Sequence, residues 1–244
     1  MDRLEAHFNS FLYEMETTKI FSEDMESSID KIIKENPARP FNIYRDSDVS
    51  GIVIRNQYIF NLHKRSTQLS FGYPSLLRQS LLIACMTQLE LTLTSICEEL
   101  KSRNLQGFRF SRKAEGSTIK KCLDAISRAI LMTKLTHDNA ALLEDLYLYF
   151  NIRNIMVHKS GYLSESNSKD VALTQQIERH SLFASNDILI DARKKIIISS
   201  FFSKQVIEDC IRLMTMLREI FKENNQFRDD QIRVFIQQYP IIEK

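Results

Sequence analysis

The sequence predicts a mainly α-helical protein, and three features carry that prediction. Only five glycines and four prolines occur in 244 residues, so few positions hold the residue types that interrupt helices. Long stretches place apolar side chains at steps of three and four, the period of one helix face. The content, 43% hydrophobic and 26% charged, is that of a folded soluble protein rather than a disordered chain. Two shorter stretches rich in β-branched residues predict small β-hairpin or extended insertions.

Residues 2–35 set Leu4, Phe8, Phe11, Leu12, Met15, Ile20, Met25, Ile29 and Ile32 at mostly helical steps, predicting one or two amphipathic helices that stop at Pro37 and Pro40. Residues 41–73 differ: "SGIVIRNQYIF" is β-branched and aromatic, "HKRSTQLSFGYP" is polar with turn residues, and the stretch predicts an extended excursion or long loop. Pro74 opens "PSLLRQSLLIACMTQLELTLTSICEEL", which has no internal glycine or proline and predicts about 26 helical residues spanning roughly 39 Å. Its middle is apolar on nearly every side, so this helix is expected at the centre.

The next two segments continue the helical pattern. "STIKKCLDAISRAILM" carries the stripe Ile119, Cys122, Ile126 and Ile130, and "HDNAALLEDLYLYFNIRNIMVH" predicts a helix capped by Thr136 and stopped at Gly161. Beyond it, "SESNSKD" reads as a polar loop and "DILIDARKKIIIS" as a hairpin or two extended pieces around a charged turn. "SKQVIEDCIRLMTMLREIFKEN" repeats Val206, Ile207, Cys210, Ile211, Met214, Leu217, Ile220 and Phe221 at helical steps, and "DDQIRVFIQQ" predicts a short tail helix before Pro240. The expected organisation is an amino-terminal helical extension with its excursion (1–73), a helical core (74–224) and a tail helix packed on the same domain (225–244).

The formal charge of +2 gives no general affinity for polyanions, so a nucleic-acid surface would have to be local. One imbalance exists: between residues 101 and 121 lie Lys101, Arg103, Arg109, Arg112, Lys113, Lys120 and Lys121 against the single acid Glu115. A solvated basic loop is the plain reading of that strip, and a phosphate-facing surface the functional one. Cys85, Cys97, Cys122 and Cys210 are far apart, without C-x-x-C spacing, and read as small buried hydrophobes in a reducing compartment. The start "MDRLEAHFNS" lacks the basic and apolar regions of a signal peptide, and the longest apolar run, residues 81–86, falls short of the about 20 residues a span needs. A soluble, cytoplasmic protein with no membrane partner is expected.

Several chemistries are excluded by pattern. No glycine-rich phosphate loop followed by lysine, no H-E-x-x-H and no G-x-S-x-G occurs. "RDSDVSGIVIRNQ" places Asp46, Asp48, Ser50 and Gly51 as a calcium loop would, but Gln57 at the twelfth position offers no bidentate carboxylate, and an Asx-type turn is the better reading. No metal or other cofactor is expected.

"NIRNIMVHKSGYL", residues 151–163, is the remaining candidate. On an ideal helix Leu142, Leu146, Tyr149, Met156 and Val157 share a side with Arg153, whereas Asn154 and His158 stack on a second stripe with Tyr147 and Asn151. Arg153 and His158 then lie about 140° apart, too far for one intact helix to aim both at one phosphate. Either Gly161 unwinds the last turn and swings His158 round, or two copies of the helix pair across a two-fold axis so that one cleft is lined by both sets.

Metal-free cleavage of an RNA backbone needs a base for the ribose 2′-hydroxyl, an acid for the departing 5′-oxygen and positive charge at the phosphate. His158 can titrate near neutrality, Arg153 can hold two phosphate oxygens in its fork, and Asn154 can orient either His158 or the hydroxyl. The plain alternative is that Arg153, His158 and Lys159 only complement a helix carboxyl terminus and its free carbonyls.

With "RNIMVHKSG" ending an apolar helix and "TQLELTLTSICEEL" on a long helix upstream, the chain resembles the HEPN superfamily, whose ribonuclease members carry an R-x(4-6)-H motif, often R-N-x-x-x-H. Arg153, Asn154 and His158 match it one for one. The resemblance implies a helical bundle over roughly residues 74–222, a homodimer with both motifs in one cleft, and a metal-independent endoribonuclease leaving a 2′,3′-cyclic phosphate. It implies a toxin or antiviral effector, with RNA as substrate and an antitoxin or defence protein as a partner. Glu90, a polar residue on the upstream helix, is the supporting candidate it suggests, beside an ordinary ion-pair role.

Ser160 stands where one toxin subgroup has the tyrosine of H-x-Y, and Tyr162 comes two places later, which departs from that subgroup. Tyr147 and Asn151 are further supporting candidates. Arg103, Arg109, Arg112, Lys113, Lys120, Lys121 and Lys159 are the candidate RNA-guiding cations. The competing expectation is a noncatalytic HEPN-like dimer that recruits a protein or nucleotide, with Arg153 as an interface ion-pair residue.

Overall fold

The computed structural model describes residues 2–35, 68, 72–103, 108–111, 117–129 and 139–223. The stops at Pro37 and Pro40, the 41–73 excursion apart from residues 68, 72 and 73, the Asx turn after Asp46, Arg112, Lys113, Ile130, the Thr136 cap and the tail helix lie outside the described residues.

Among the described residues the chain is mainly helical, with seven helices and one two-stranded sheet. The helices are α1 (Arg3–Glu35), α2 (Tyr73–Ser102), α3 (Thr118–Ala129), α4 (Ala140–Lys159), α5 (Ser168–Arg179), α6 (Ser181–Ala184) and α7 (Ser200–Glu223). The strands are β1 (Ile188–Ile190) and β2 (Ile196–Ile198). The first segment forms one helix, since no glycine or proline breaks its 33 residues. α2 runs 30 residues with Pro74 in its first turn, where the missing N–H leaves no bond unmade.

α2 buries a broad face that includes Leu82, Met86, Leu89, Leu93, Ile96 and Leu100, while Leu91 is 59% exposed. By length and composition it is apolar enough to cross a membrane, and 56% of its most apolar window is buried within the protein. The predicted stripe of α3 is the buried one: Ile119, Cys122 and Ile126 are fully enclosed.

The described chain forms two compact units, and α1, α2, α4 and α7 contribute to both. One comprises the described parts of residues 1–14, 88–144 and 209–244. Its buried residues include Phe8, Phe11, Leu93, Ile96, Ile119, Leu213 and Leu217, and the Phe8 and Phe221 rings lie 5.7 Å apart. The other comprises residues 15–87 and 145–208, where Leu82, Met86, Tyr149, Ile152, Phe202 and Val206 are buried and Tyr149 meets Phe202 edge-on at 5.2 Å. In that unit Arg78 grips Glu26 through two bonds of 2.7 and 2.8 Å.

The expected polar loop after Gly161 is shorter than its composition suggested. Asn167 accepts from the N–H groups of Lys169 and Asp170 and caps α5, which begins at Ser168. The reason it escaped periodicity is that its buried face consists of Asp170, Leu173 and Ile177, so one of three core positions is an acid.

The hairpin forms as expected, antiparallel with Ile188 opposite Ile198 and Ile190 opposite Ile196. Asp191 builds its turn, its Oδ1 accepting from the N–H groups of Arg193 and Lys195 at 2.8 Å each. The chain leaving α4 joins this hairpin: Leu163 N–H donates to Lys194 O, and Ile196 N–H to Gly161 O.

Gly161 stops α4 as predicted. Its φ is +87°, the left-handed region that favours glycine, and a Cβ there would sit 3.1 Å from Met156 Sδ, which would have to give way slightly. Its N–H reaches back to Ile155 O at 3.1 Å. The helix stays regular through Lys159 and the left-handed turn begins at Ser160, so Gly161 does not swing His158 around.

Candidate functional site

Arg153 and His158 sit on different sides of α4, as 100° per residue requires. Arg153 is half-buried and faces α2: its Nη2 donates to Thr87 Oγ1 at 3.0 Å, its Nη1 to Asn154 Oδ1 at 3.0 Å, and its guanidinium lies 5.9 Å from the Phe150 ring centroid. His158 is exposed and faces α5, on the wall of a cleft of about 470 Å³. Asn151, Asn154 and His158 all line that cleft, so three of the four residues of the predicted second stripe share it. Tyr147, the fourth, is half-buried one turn earlier and is not part of its lining. Leu142, Leu146, Tyr149 and Met156 are buried as the wheel indicates, but Val157 is 45% exposed.

Asn154 belongs to both sides. Arginine only donates, so the Asn154 oxygen faces Arg153 and its amide N–H groups remain for the cleft. Asn167 is fixed the same way, because its oxygen is taken by two backbone N–H groups of α5. With His158 and Lys169, these amides place donors in the cleft beside the Asn151 and Gln176 amides, while the Asp170 carboxylate that also lines it is taken up by Lys159 and Ser164 N–H.

Lys159, a candidate RNA contact, is instead committed within the chain. Its Nζ donates to both oxygens of Asp170, at 2.7 and 2.6 Å, and Asp170 also accepts from Ser164 N–H at 2.8 Å. Burial pushes the Asp170 carboxyl up, yet the Lys159 hydrogen bond, the Ser164 amide and the lysine charge together bring it below its ordinary range. Asn167, Lys169, Asp170 and Gln176 were missed by sequence reasoning because α5 was. The N-x-x-D spacing at Asn167 and Asp170, followed by Leu173 and Ile177 four apart, was the available signal.

The candidate cations of the basic strip have different fates. Arg103 is clamped by Asp2 and Glu99; the Asp2 hydrogen bond, reinforced by Glu99, raises its guanidinium above the ordinary range despite burial. Arg109 and Lys121 come together in a second cleft, while Lys120 is exposed. Glu90 is half-buried in the unit that contains Cys122, on whose thiol its charge acts.

A histidine–carboxylate pair also emerges: His180 accepts Leu182 N–H at Nδ1 (3.2 Å), so its Nε2 carries the proton and faces Asp145 Oδ1 at 2.7 Å. Both ring nitrogens are thereby used to join α4 to the start of α6, a structural task. Burial pushes the Cys85 thiol up to about 12, consistent with an inert core residue. Among the described residues no group of three or more His, Cys, Asp or Glu is placed to hold a metal ion. No family model, no curated protein and no solved structure matches this chain.

Proposed function

We propose that this chain is a metal-independent endoribonuclease of the HEPN type, working as a homodimer in which two copies of α4 line one cleft. The observation that carries the reading is the division of labour on α4. His158 is exposed in a polar cleft, Arg153 is held on another side of the helix, and Asn154 bonds to Arg153 while lining the His158 cleft.

In the reaction, His158 takes the proton of the ribose 2′-hydroxyl or supplies one to the departing 5′-oxygen. The 2′-oxygen bonds to phosphorus as the bond from phosphorus to the 5′-oxygen breaks, leaving a 2′,3′-cyclic phosphate and a 5′-hydroxyl. Arg153 of the pairing helix stabilises the charge that builds on the phosphate, and Asn154 positions one of the two groups. A cytoplasmic toxin or antiviral effector, restrained by an antitoxin or defence partner, is the role such an activity fits.

The test uses purified protein and total RNA in EDTA. Cleavage is expected from the parent and not from His158→Ala. Equal cleavage by both removes His158 from the mechanism. Mixing inactive Arg153→Ala and His158→Ala proteins is expected to restore part of the activity, because one site of each mixed dimer keeps both groups; no restoration refutes the shared cleft. A second reading, a noncatalytic dimeric module that binds a protein or nucleotide, draws on the engagement of Arg153 with Thr87, Asn154 and Phe150, which suits a fixed structural residue. Absence of cleavage on several RNAs, with a dimer present, selects that reading.

A further inference from the structure

The basic strip does not survive folding as a strip; it is sorted. Asp2 and Glu99 take Arg103 out of play. Within the same compact unit, Lys101 at the end of α2, Arg109, and Lys121 and Arg128 of α3 instead line one cleft of about 430 Å³. Arg128 lies seven residues beyond Lys121, two helical turns on, so both stand on one face of α3, away from its buried Ile119, Cys122 and Ile126.

Among the described residues, four cations and one carboxylate, Asp124, line this cleft, an excess of three positive charges in a chain whose total is only +2. Among the described residues no ion pair engages Lys101, Arg109 or Arg128, and Arg128 spends only its Nε, on Asp124 O. Gathering several like charges around one carboxylate costs stability, and an anion that visits the cleft offsets that repulsion.

Aromatic surface accompanies the charge. Phe110 is buried and anchors the 108–111 segment, whereas Phe108 is half-buried and lines the same cleft. An aromatic ring beside several cations is the arrangement that holds an unpaired base and its neighbouring phosphates. A duplex hides its base faces and offers nothing for the ring to stack on.

We propose that the cleft formed by Lys101, Phe108, Arg109, Lys121 and Arg128 binds single-stranded RNA, its cations meeting about three backbone phosphates and Phe108 stacking on one base. The inference deepens the ribonuclease reading by giving the substrate a holding site apart from the His158 cleft's lining residues. It rests on that reading only for the identity of the natural strand.

Binding is measured by fluorescence anisotropy of a labelled single-stranded RNA, in EDTA, on the full chain carrying His158→Ala so that nothing is cut. Three phosphate contacts predict a slope of log affinity against log salt of about −2, an affinity loss of about 20-fold between 50 and 200 mM salt. Arg109→Ala with Arg128→Ala is expected to flatten the slope by about 1.4, and exposed Lys101→Ala alone by about 0.7. Phe108→Ala is expected to weaken binding about tenfold at unchanged slope, with Phe108→Tyr restoring it.

Circular dichroism checks that each variant folds. If the double variant does not, Lys101→Ala decides the charge argument by itself. Parent-like slopes in the arginine and lysine variants overturn the proposal, as do parent-like affinity in Phe108→Ala, equal affinity for the matching duplex, or equal competition by polyglutamate. Binding with these signatures by a protein that cleaves no RNA leaves this site standing and removes only the ribonuclease reading. His158-dependent cleavage without them does the reverse.

Discussion

Replacing Asp170 by asparagine isolates the ion pair that ties α4 to α5. Asp170 is 3% exposed and accepts three hydrogen bonds, two from Lys159 and one from Ser164 N–H. Breaking a fully buried pair costs about 3–5 kcal/mol. The Lys159 side chain is 36% exposed and can turn into water, which reduces the expected loss to about 2 kcal/mol. For a chain of this length that is a fall in Tm of about 4–8 °C at pH 7.

The effect has a signed pH dependence. Because the folded Asp170 carboxyl lies below its ordinary value of 3.8, its contribution is fully present above that value and is lost as pH falls through the folded one. The gap in Tm between parent and Asp170→Asn should therefore be widest near pH 7, narrow below about pH 4 and close at lower pH. Thermal melts by circular dichroism from pH 7 to about pH 2.5, with Lys159→Met and the double variant completing a cycle, measure it. A gap under about 1 °C at pH 7, or one that does not change with pH, refutes the reasoning.

Two further substitutions test the elements around the site. Gly161→Ala should lower stability by about 1–2 kcal/mol, since alanine is strained at φ +87° and its Cβ would press on Met156 Sδ; a chemical denaturation midpoint equal to the parent's contradicts this. Thr87→Val keeps the shape but removes the acceptor of Arg153 Nη2, for a loss of about 1 kcal/mol at this half-buried position. In a cycle with Arg153→Met most of that loss should disappear, and full additivity in denaturant melts shows that the bond contributes nothing.

The helical elements were legible because each is a local pattern. Ile119, Cys122 and Ile126 at helical steps, an uninterrupted α2, and Gly161 after His158 and Lys159 needed no knowledge of what lies opposite. The separation of Arg153 from His158 was equally legible, being a count of residues at 100° each. α5 was not, because its buried face includes Asp170, which looks like a surface acid until Lys159, 11 residues earlier, comes into contact.

The fate of the basic strip shows the same limit more sharply. Spacing alone ranks Arg103 with Lys101 and Arg109, yet Asp2, 101 residues away in sequence, binds Arg103 and leaves the others to gather beside Phe108. The sequence by itself thus determined where helices run and which side of each a residue occupies, since backbone period and apolar spacing act over a few residues. Only the tertiary structure decided which charges are cancelled and which converge, because ion pairing depends on distance in space, and contacts between segments remote in the chain set that distance.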